Sequence, residues 1–392
     1  MLDGFALLVT DGPSAAAPAL RQATSAFASE DIPAEQLLRW GWIAAVADEA
    51  MWDDDGRRVT IRQVQLAREA GALDQLPILL NRMAVDAVWS GDFATADSLI
   101  AEAGAVCEAT GARLAPVGAM MLASFRGREA EATRLIQSTI DQATAGGQGA
   151  FVTVARWVTA VLYNGLGRYE EALEAARQAS EHGHVYVSAW ALPELIEAAA
   201  RTGNPRIADD ALDRLTESTR AGGTEGGLGI EACSRALLSE GEAAERHYGE
   251  AIDRLGQSRR HPELARAHLL YGEWLRRQRR RRDARDQLRT AYGRFDAIGM
   301  EAFAGRARAE LRATGEQARS RRPGAPEVLT AQEAQIARMA AGHLTNREIA
   351  ARLFISASTV EYHLRKIFRK LGVTSRTQLA RTLLEQSQAQ PR

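Results

Sequence analysis

Arg365, Lys366, Arg369 and Lys370 set four cations within six residues, and the only two lysines of the chain lie here, against 47 arginines. Ammonium and guanidinium groups at that density suit one kind of chemistry, the neutralisation of phosphate. Placed on a helix over 357–370, the segment sorts into two faces. Val360, Leu364, Ile367 and Leu371 recur at spacings of three and four and make an apolar stripe. Glu361, Tyr362, Arg365, Lys366, Arg369 and Lys370 fill the remaining surface, the part that a DNA major groove would meet. Residues 329–386 hold nine Lys or Arg and four Glu, so the segment is +5 in a chain of net charge −1. The remainder is then about −6. A basic patch on a nearly neutral protein is the footprint of a phosphate-binding module. The plainer alternative is a helical hairpin with a solvated basic face.

Three helix starts would position that surface. Thr330 with Glu333, and Thr345 with Glu348, each fit a capping box, in which hydroxyl and carboxylate satisfy each other's orphan amides. Ser356 or Ser358 can cap the third helix. A turn of about three residues separates Leu353 from Ser356, the length that sets two helices at a steep angle. The pattern is that of a helix-turn-helix.

Residues 329–386 resemble the LuxR-type helix-turn-helix. The resemblance is carried by Leu329-Thr330-Ala331-Gln332-Glu333, Thr345-Asn346-Arg347-Glu348-Ile349-Ala350, Ser356-Ala357-Ser358-Thr359-Val360 and the closing Leu371-Gly372-Val373-Thr374-Ser375-Arg376. The whole chain is similar to the carboxy-terminal two-thirds of the large LuxR-type regulators of actinobacteria (LAL-like). Those place an ATPase module first, a helical repeat region next and this domain last. The resemblance implies a transcriptional regulator that binds double-stranded DNA. Its last domain should have four helices, the third in the major groove and the fourth available to pair two domains. Residue by residue, it makes Glu361, Tyr362 and Arg365 the base contacts. It gives phosphate contacts to Thr345, Asn346, Arg347, Ser356, Ser358, Thr359, Lys366, Arg369 and Lys370. Many family members carry a basic residue where Glu361 stands. Glutamate cannot grip guanine, but it can accept a hydrogen bond from a cytosine amino group, or orient Arg365 one turn on. His363 reads as a packing residue.

Upstream, no stretch alternates as a strand would, and only 11 prolines interrupt 392 residues, so the expectation is all-α. The element Gly-x-x-x-x-Ala recurs from Gly12 to Ala17, Gly91 to Ala96, Gly127 to Ala132, Gly167 to Ala172 and Gly203 to Ala208. Weaker copies sit near Gly56 and Gly241, and Arg279 to Ala284 keeps the spacing without the glycine. The unit from Trp157 to Leu173 reads as a helix, a glycine stop, an aromatic staple and a second helix. It is similar to the tetratricopeptide repeat, with a period somewhat longer than the usual ~34 residues.

About seven such hairpins predict a TPR-like right-handed α-solenoid over residues 1–312. A basic, proline-containing linker over 313–328 and the DNA-binding domain over 329–386 follow. A concave groove along the solenoid suits a small-molecule or protein effector. Pairing of two DNA-binding domains predicts a homodimer. Six of the seven tryptophans fall in the first 190 residues and read as packing between hairpins. The run Arg276 to Arg282 reads as a solvated helix end.

Several classes are excluded. A P-loop needs Gly-Lys-Ser or Gly-Lys-Thr, and no lysine precedes Lys366. That points to a chain starting after the family's ATPase module, as a shorter form or a fragment. No Gly-x-Ser-x-Gly or His-Glu-x-x-His occurs, so neither catalysis nor a cofactor is expected. Asp53-Asp54-Asp55 and His182-Gly183-His184 read as loops rather than metal ligands. A receiver domain, or an acyl-homoserine-lactone pocket, would need the missing strands. No signal peptide, membrane span or disulfide framework is present, which predicts a cytoplasmic protein. The rival reading is a TPR-like protein-interaction scaffold with weak or non-specific DNA binding, and Glu361 on the reading face favours it.

Overall fold

The computed structural model describes the chain apart from residues 30, 54–55, 182–184, 317–330, 343, 354–355, 372, 374 and 389–392. The chain divides into two compact units, Met1–Ala318 and Arg319–Arg392. All regular structure among the described residues is helical. The linker expected over 313–328 falls largely outside those residues, as do Asp54, Asp55 and the His182–His184 pair.

In the first unit, α1 (Leu2–Thr10), α2 (Pro13–Ala28), α3 (Ala34–Ala50) and α4 (Gly56–Glu69) form the opening pairs. They are followed by α5 (Leu76–Trp89), α6 (Phe93–Thr110), α7 (Val117–Arg126) and α8 (Glu129–Ala145). Next, α9 (Gly149–Leu166) and α10 (Tyr169–Glu181) lead into the short α11 (Val185–Trp190). Then come α12 (Leu192–Thr202), α13 (Pro205–Gly222), α14 (Glu225–Leu237) and α15 (Gly241–Gly256). The unit ends with α16 (His261–Arg277), α17 (Arg281–Ile298) and α18 (Glu301–Ala313). Successive helices pack as antiparallel hairpins, and the first helices of neighbouring hairpins pack on one another.

The glycine of the repeat has one backbone task. Gly91, Gly127, Gly167 and Gly203 take φ of 76°, 79°, 74° and 74°, the left-handed conformation that ends a helix without a Cβ penalty. After each, the next amide reaches back to a carbonyl five residues earlier, as from Arg168 to Tyr163 at 2.8 Å. Ala96, Ala132, Ala172 and Ala208 of the same elements are completely buried, which lets paired helices approach closely. Arg279 occupies the turn without being glycine. It adopts φ 62°, and the Arg280 amide still reaches the Leu275 carbonyl at 3.0 Å.

The sequence points to an open concave groove, but the array coils back on itself. α18 packs on α7 and α9, and α2 packs on α13. Gly127 lies so close to Ala302 that a Cβ there would overlap it, and Gly165 meets the Phe303 ring in the same way. The Trp52 indole donates to Ser218 Oγ at 2.8 Å, while the Thr224 hydroxyl donates to the Trp52 carbonyl at 2.9 Å. His261 Nδ1 stands 3.0 Å from the Ser90 carbonyl.

At the closure lies a buried ionic network. Arg306 on α18 reaches Glu197 of α12 at 2.6 Å and Glu273 of α16 at 2.8 Å. Arg266 on α16 grips Glu194 at 2.5 Å and Glu197 at 2.9 Å. Asn164 of α9 donates to Glu194 at 2.8 Å. Burial pushes the Glu197 carboxyl up, but Arg306, Arg266 and Arg201 together pull it down to about 2. Glu273 is held below its ordinary range in the same way.

Most of the tryptophans pack as expected. Trp89, Trp157 and Trp190 form an edge-on cluster, with ring centres 4.8 Å apart for Trp89 and Trp190 and 5.3 Å apart for Trp157 and Trp190. Trp40 and Trp42 depart from the packing reading, because both are exposed. The basic run keeps the solvated reading at Arg277 and Arg279 to Arg282, which are exposed, and its ion pairs lie at or near the surface. Arg276 pairs with Glu310 at 2.5 Å, and Arg280 pairs with Glu245 at 2.7 Å and Asp283 at 2.8 Å.

Two outcomes test this account. Arg279→Gly should stabilise the first unit by about 0.5–1 kcal/mol, because relief of left-handed strain exceeds glycine's added chain entropy; thermal melting reads it, and an unchanged or lower midpoint removes the strain argument. Acid should weaken the same unit. Because the folded carboxyl of Glu197 sits below its unfolded value of 4.5, its contribution is present above pH 4.5 and is lost as pH falls from 4.5 towards 2. The full step is worth about 3 kcal/mol, of which about 2 is lost by pH 3, partly opposed by Glu49 and Glu263, whose carboxyls burial pushes up. Urea midpoints at pH 6 and pH 3 measure it, and equal midpoints would contradict it.

Candidate nucleic-acid interface

Among the described residues the second unit has four helices, α19 (Ala331–Ala341), α20 (Asn346–Leu353), α21 (Ala357–Leu371) and α22 (Arg376–Gln388). Ile336, Ala337 and Ala340 of α19 meet Ile349 and Ala350 of α20, Val360, Leu364 and Ile367 of α21, and Leu379 of α22. The apolar stripe read along 360–371 is therefore the core face of α21, with Leu371 partly buried at its end. His363 is buried as well.

Local signals place the two helices of the helix-turn-helix. The Thr345 amide donates to Glu348 at 2.7 Å, and the Glu348 amide donates to the Thr345 hydroxyl at 3.3 Å. This capping box starts α20. The Thr345 amide and hydroxyl hold the Glu348 carboxyl below its ordinary range. Ser356 rather than Ser358 caps α21, since its Oγ accepts from the Thr359 amide at 3.0 Å. It also lies 2.6 Å from Ser358 Oγ and 2.8 Å from Thr359 Oγ1. Thr330, half of the other expected capping box, lies outside the described residues.

The expected base contacts share the outer face of α21. Tyr362 is 42 % exposed. The Arg365 side chain is 78 % exposed and is held by Glu361 at 2.5 Å, one helical turn before it. Glu361 thus meets Arg365 directly across one turn of the helix. Ser356 and Ser358 are exposed beside this face in sequence, and Arg347 is exposed on α20 with no ion pair among the described residues.

Other expected phosphate contacts are placed differently. Lys370 is only 12 % exposed and holds the buried Glu333 at 2.6 Å; Lys366 stands 3.7 Å from the same carboxylate. A carboxylate inside this small core needs a cation, and Lys370 supplies it from the next helix but one. Thr359 is buried with its hydroxyl against the Ser356 cap. Asn346 accepts a hydrogen bond from Arg376, which also donates to the Leu344 carbonyl and so ties the start of α22 to the turn before α20. The Arg369 side chain lies outside the described residues. Nothing local in the sequence marks Glu333 and Arg376 as organising residues, because their partners lie thirty or more positions away. Among the described residues no cluster of His, Cys, Asp or Glu fits a metal.

Residues 327–383 match the family described as bacterial regulatory proteins, luxR family. The chain is 45 % identical over 51 residues to an HTH-type transcriptional regulator of Mycobacterium tuberculosis (strain CDC 1551 / Oshkosh), covering 13 % of this chain and 6 % of that protein. It is 43 % identical over 61 residues to the nitrate/nitrite response regulator protein homolog of Haemophilus influenzae, covering 16 % of this chain and 29 % of that one. It is also 48 % identical over 54 residues to the monoamine regulon transcriptional regulator of Klebsiella aerogenes, covering 14 % and 24 %. The chain thus spans less than a third of the length of each of these curated relatives. The carboxy-terminal unit carries a LuxR-family helix-turn-helix.

Removing the charge from Glu333 tests the core ion pair. Glu333→Gln should cost the second unit about 2 kcal/mol, since it leaves a mostly buried ammonium uncompensated. Hydrogen exchange at α19 and α21 amides reports it, and unchanged protection would mean that Lys370 is not held by this pair.

Proposed function

We propose that this chain is a DNA-binding transcriptional regulator of the large LuxR-type kind, with α21 reading the major groove. The observation that carries the reading is the outer face of α21, where Tyr362 and Arg365 project from a helix whose other face is locked into the core. Arg365 is the guanine contact, because a guanidinium can bond O6 and N7 together. Glu361 either releases Arg365 or accepts from a neighbouring cytosine. The phosphate contacts narrow to Arg347, Ser356, Ser358, Lys366, Arg369 and the helix-start amides, with Lys370, Thr359 and Asn346 in supporting roles.

The first unit is a TPR-like sensor and assembly domain, and it takes a small-molecule or protein effector. One such DNA-binding unit offers a small interface, so two act together on adjacent half-sites as a homodimer. The protein is not an enzyme and works in the cytoplasm, where its DNA lies. No helix among the described residues is long and apolar enough to cross a membrane.

A second reading is favoured by one observation, the Glu361–Arg365 pair on the reading face. A carboxylate there occupies the arginine that would read a base, which suits a repeat scaffold with weak or non-specific DNA binding.

Selection of bound fragments from sheared genomic DNA separates the two. The full chain should enrich one motif, and Arg365→Ala should cost about 1–3 kcal/mol and relax a single position. Arg347→Ala should weaken binding evenly across sequences and lower the salt slope by about 1. Salt-sensitive binding with no enriched motif would favour the scaffold.

A further inference from the structure

The first unit holds a cavity of about 610 Å³ bounded by α3, α4, α5, α7, α9 and α11. Its walls are apolar and aromatic, with Phe151, Trp157 and Trp190 among them. Trp42 and Ile78 also line it while remaining 49 % and 56 % exposed. Large apolar side chains left in water beside an apolar hollow mark a place where something else is covered.

The polar groups of the cavity are few. Gln63 is completely buried, and its Nε2 donates to the Leu37 carbonyl at 2.9 Å. Its Oε1 is buried with no hydrogen-bond partner. Arg82 lines the same cavity and donates through Nη2 to Glu49 at 2.7 Å, while its Nε is buried without a partner. Gln63 Oε1 and Arg82 Nε are thus left unpaired beside a charge pair already balanced, and Gln75 and Asn81 complete the polar lining, Asn81 Oδ1 accepting from the Gly118 amide at 2.9 Å. Glu49 already answers Arg82 at 2.7 Å, so a second ionic group would find no unbalanced charge inside the apolar walls. Arg39 is the remaining cation of the lining, and it is exposed with its guanidinium 5.1 Å from the Trp40 ring.

We propose that this cavity binds a neutral, mostly aromatic small molecule carrying one hydroxyl or carboxamide, whose polar group pairs with Gln63 and Arg82. Hydroxyl and carboxamide each both donate and accept, as the two unused atoms require. Such a ligand bridges α3–α5 to α9 and α11, hairpins far apart in the array. This rests on the reading of the first unit as an effector-binding domain.

The test titrates the full chain with 9-phenanthrol, phenanthrene and phenanthrene-9-carboxylate, read by tryptophan fluorescence. One saturable site is expected for 9-phenanthrol, with phenanthrene and the carboxylate each about tenfold weaker. Gln63→Leu should reduce 9-phenanthrol to the affinity of phenanthrene. Trp42→Ala, at an exposed position that leaves the core intact, should weaken both neutral probes. No saturable binding, a carboxylate that binds as tightly as the phenol, or full affinity in Trp42→Ala would overturn the proposal. DNA binding measured with and without 9-phenanthrol separates the two claims. Binding at the cavity with unchanged DNA affinity supports the site and defeats the effector reading.

Discussion

Arg306 and the carboxylates that receive it decide how the first unit is built. An arginine taken out of water is costly, and it is kept only where the geometry of its partners is good. Glu197 and Glu273 come from helices of two different hairpins, and Arg306 comes from the helix that ends the array. Their meeting fixes where the coil closes. Arg266 then ties Glu194 and Glu197 from the α16 side, so Glu197 answers two arginines, while Glu194 also accepts from Asn164. Apolar packing alone would let α18 slide along α9, whereas a hydrogen-bonded ionic network has one register. The closely approaching glycines, Gly127 and Gly165, serve the same closure by leaving room for Ala302 and Phe303.

The second unit repeats this logic on a smaller scale. Glu333 is buried under α21 and draws Lys370 inward, with Lys366 nearby. A positive segment is therefore not the same as a positive surface. Part of the +5 read from the sequence neutralises the unit's own buried carboxylate. On the proposed reading, what remains for a nucleic acid lies on Arg347, Arg365, Lys366 and the α21 start, where Ser356 and Ser358 stand. The Glu361–Arg365 pair leaves the reading face poised rather than simply cationic.

The repeat array and the recognition face meet different demands. The array needs tight turns, and Gly91, Gly127, Gly167, Gly203 and Arg279 adopt left-handed backbone to supply them. Its aromatic residues cluster where hairpins meet, leaving a hollow whose polar atoms are only partly satisfied. The DNA-binding unit needs a rigid helix with a free outer face. The capping box at Thr345 and the cap at Ser356 provide defined starts, and the stripe from Val360 to Leu371 fixes rotation about the helix axis.

The all-helical class, the glycine turns, the two capping signals and the two faces of α21 were legible in the residues, because each depends on neighbours within about five positions or on a 3.6-residue period. Even the odd turn at Arg279 could be read from spacing. The coiling of the array could not, because it rests on pairs such as Arg306 with Glu197 and Trp52 with Ser218, which no local period links. The same holds for Lys370 and Asn346. Their types suit phosphate, but whether a side chain reaches solvent or an internal partner depends on what another helix brings beside it. Sequence determined the elements and their faces; tertiary packing decided which charges stay inside, because burial makes an unpaired charge too costly to leave alone.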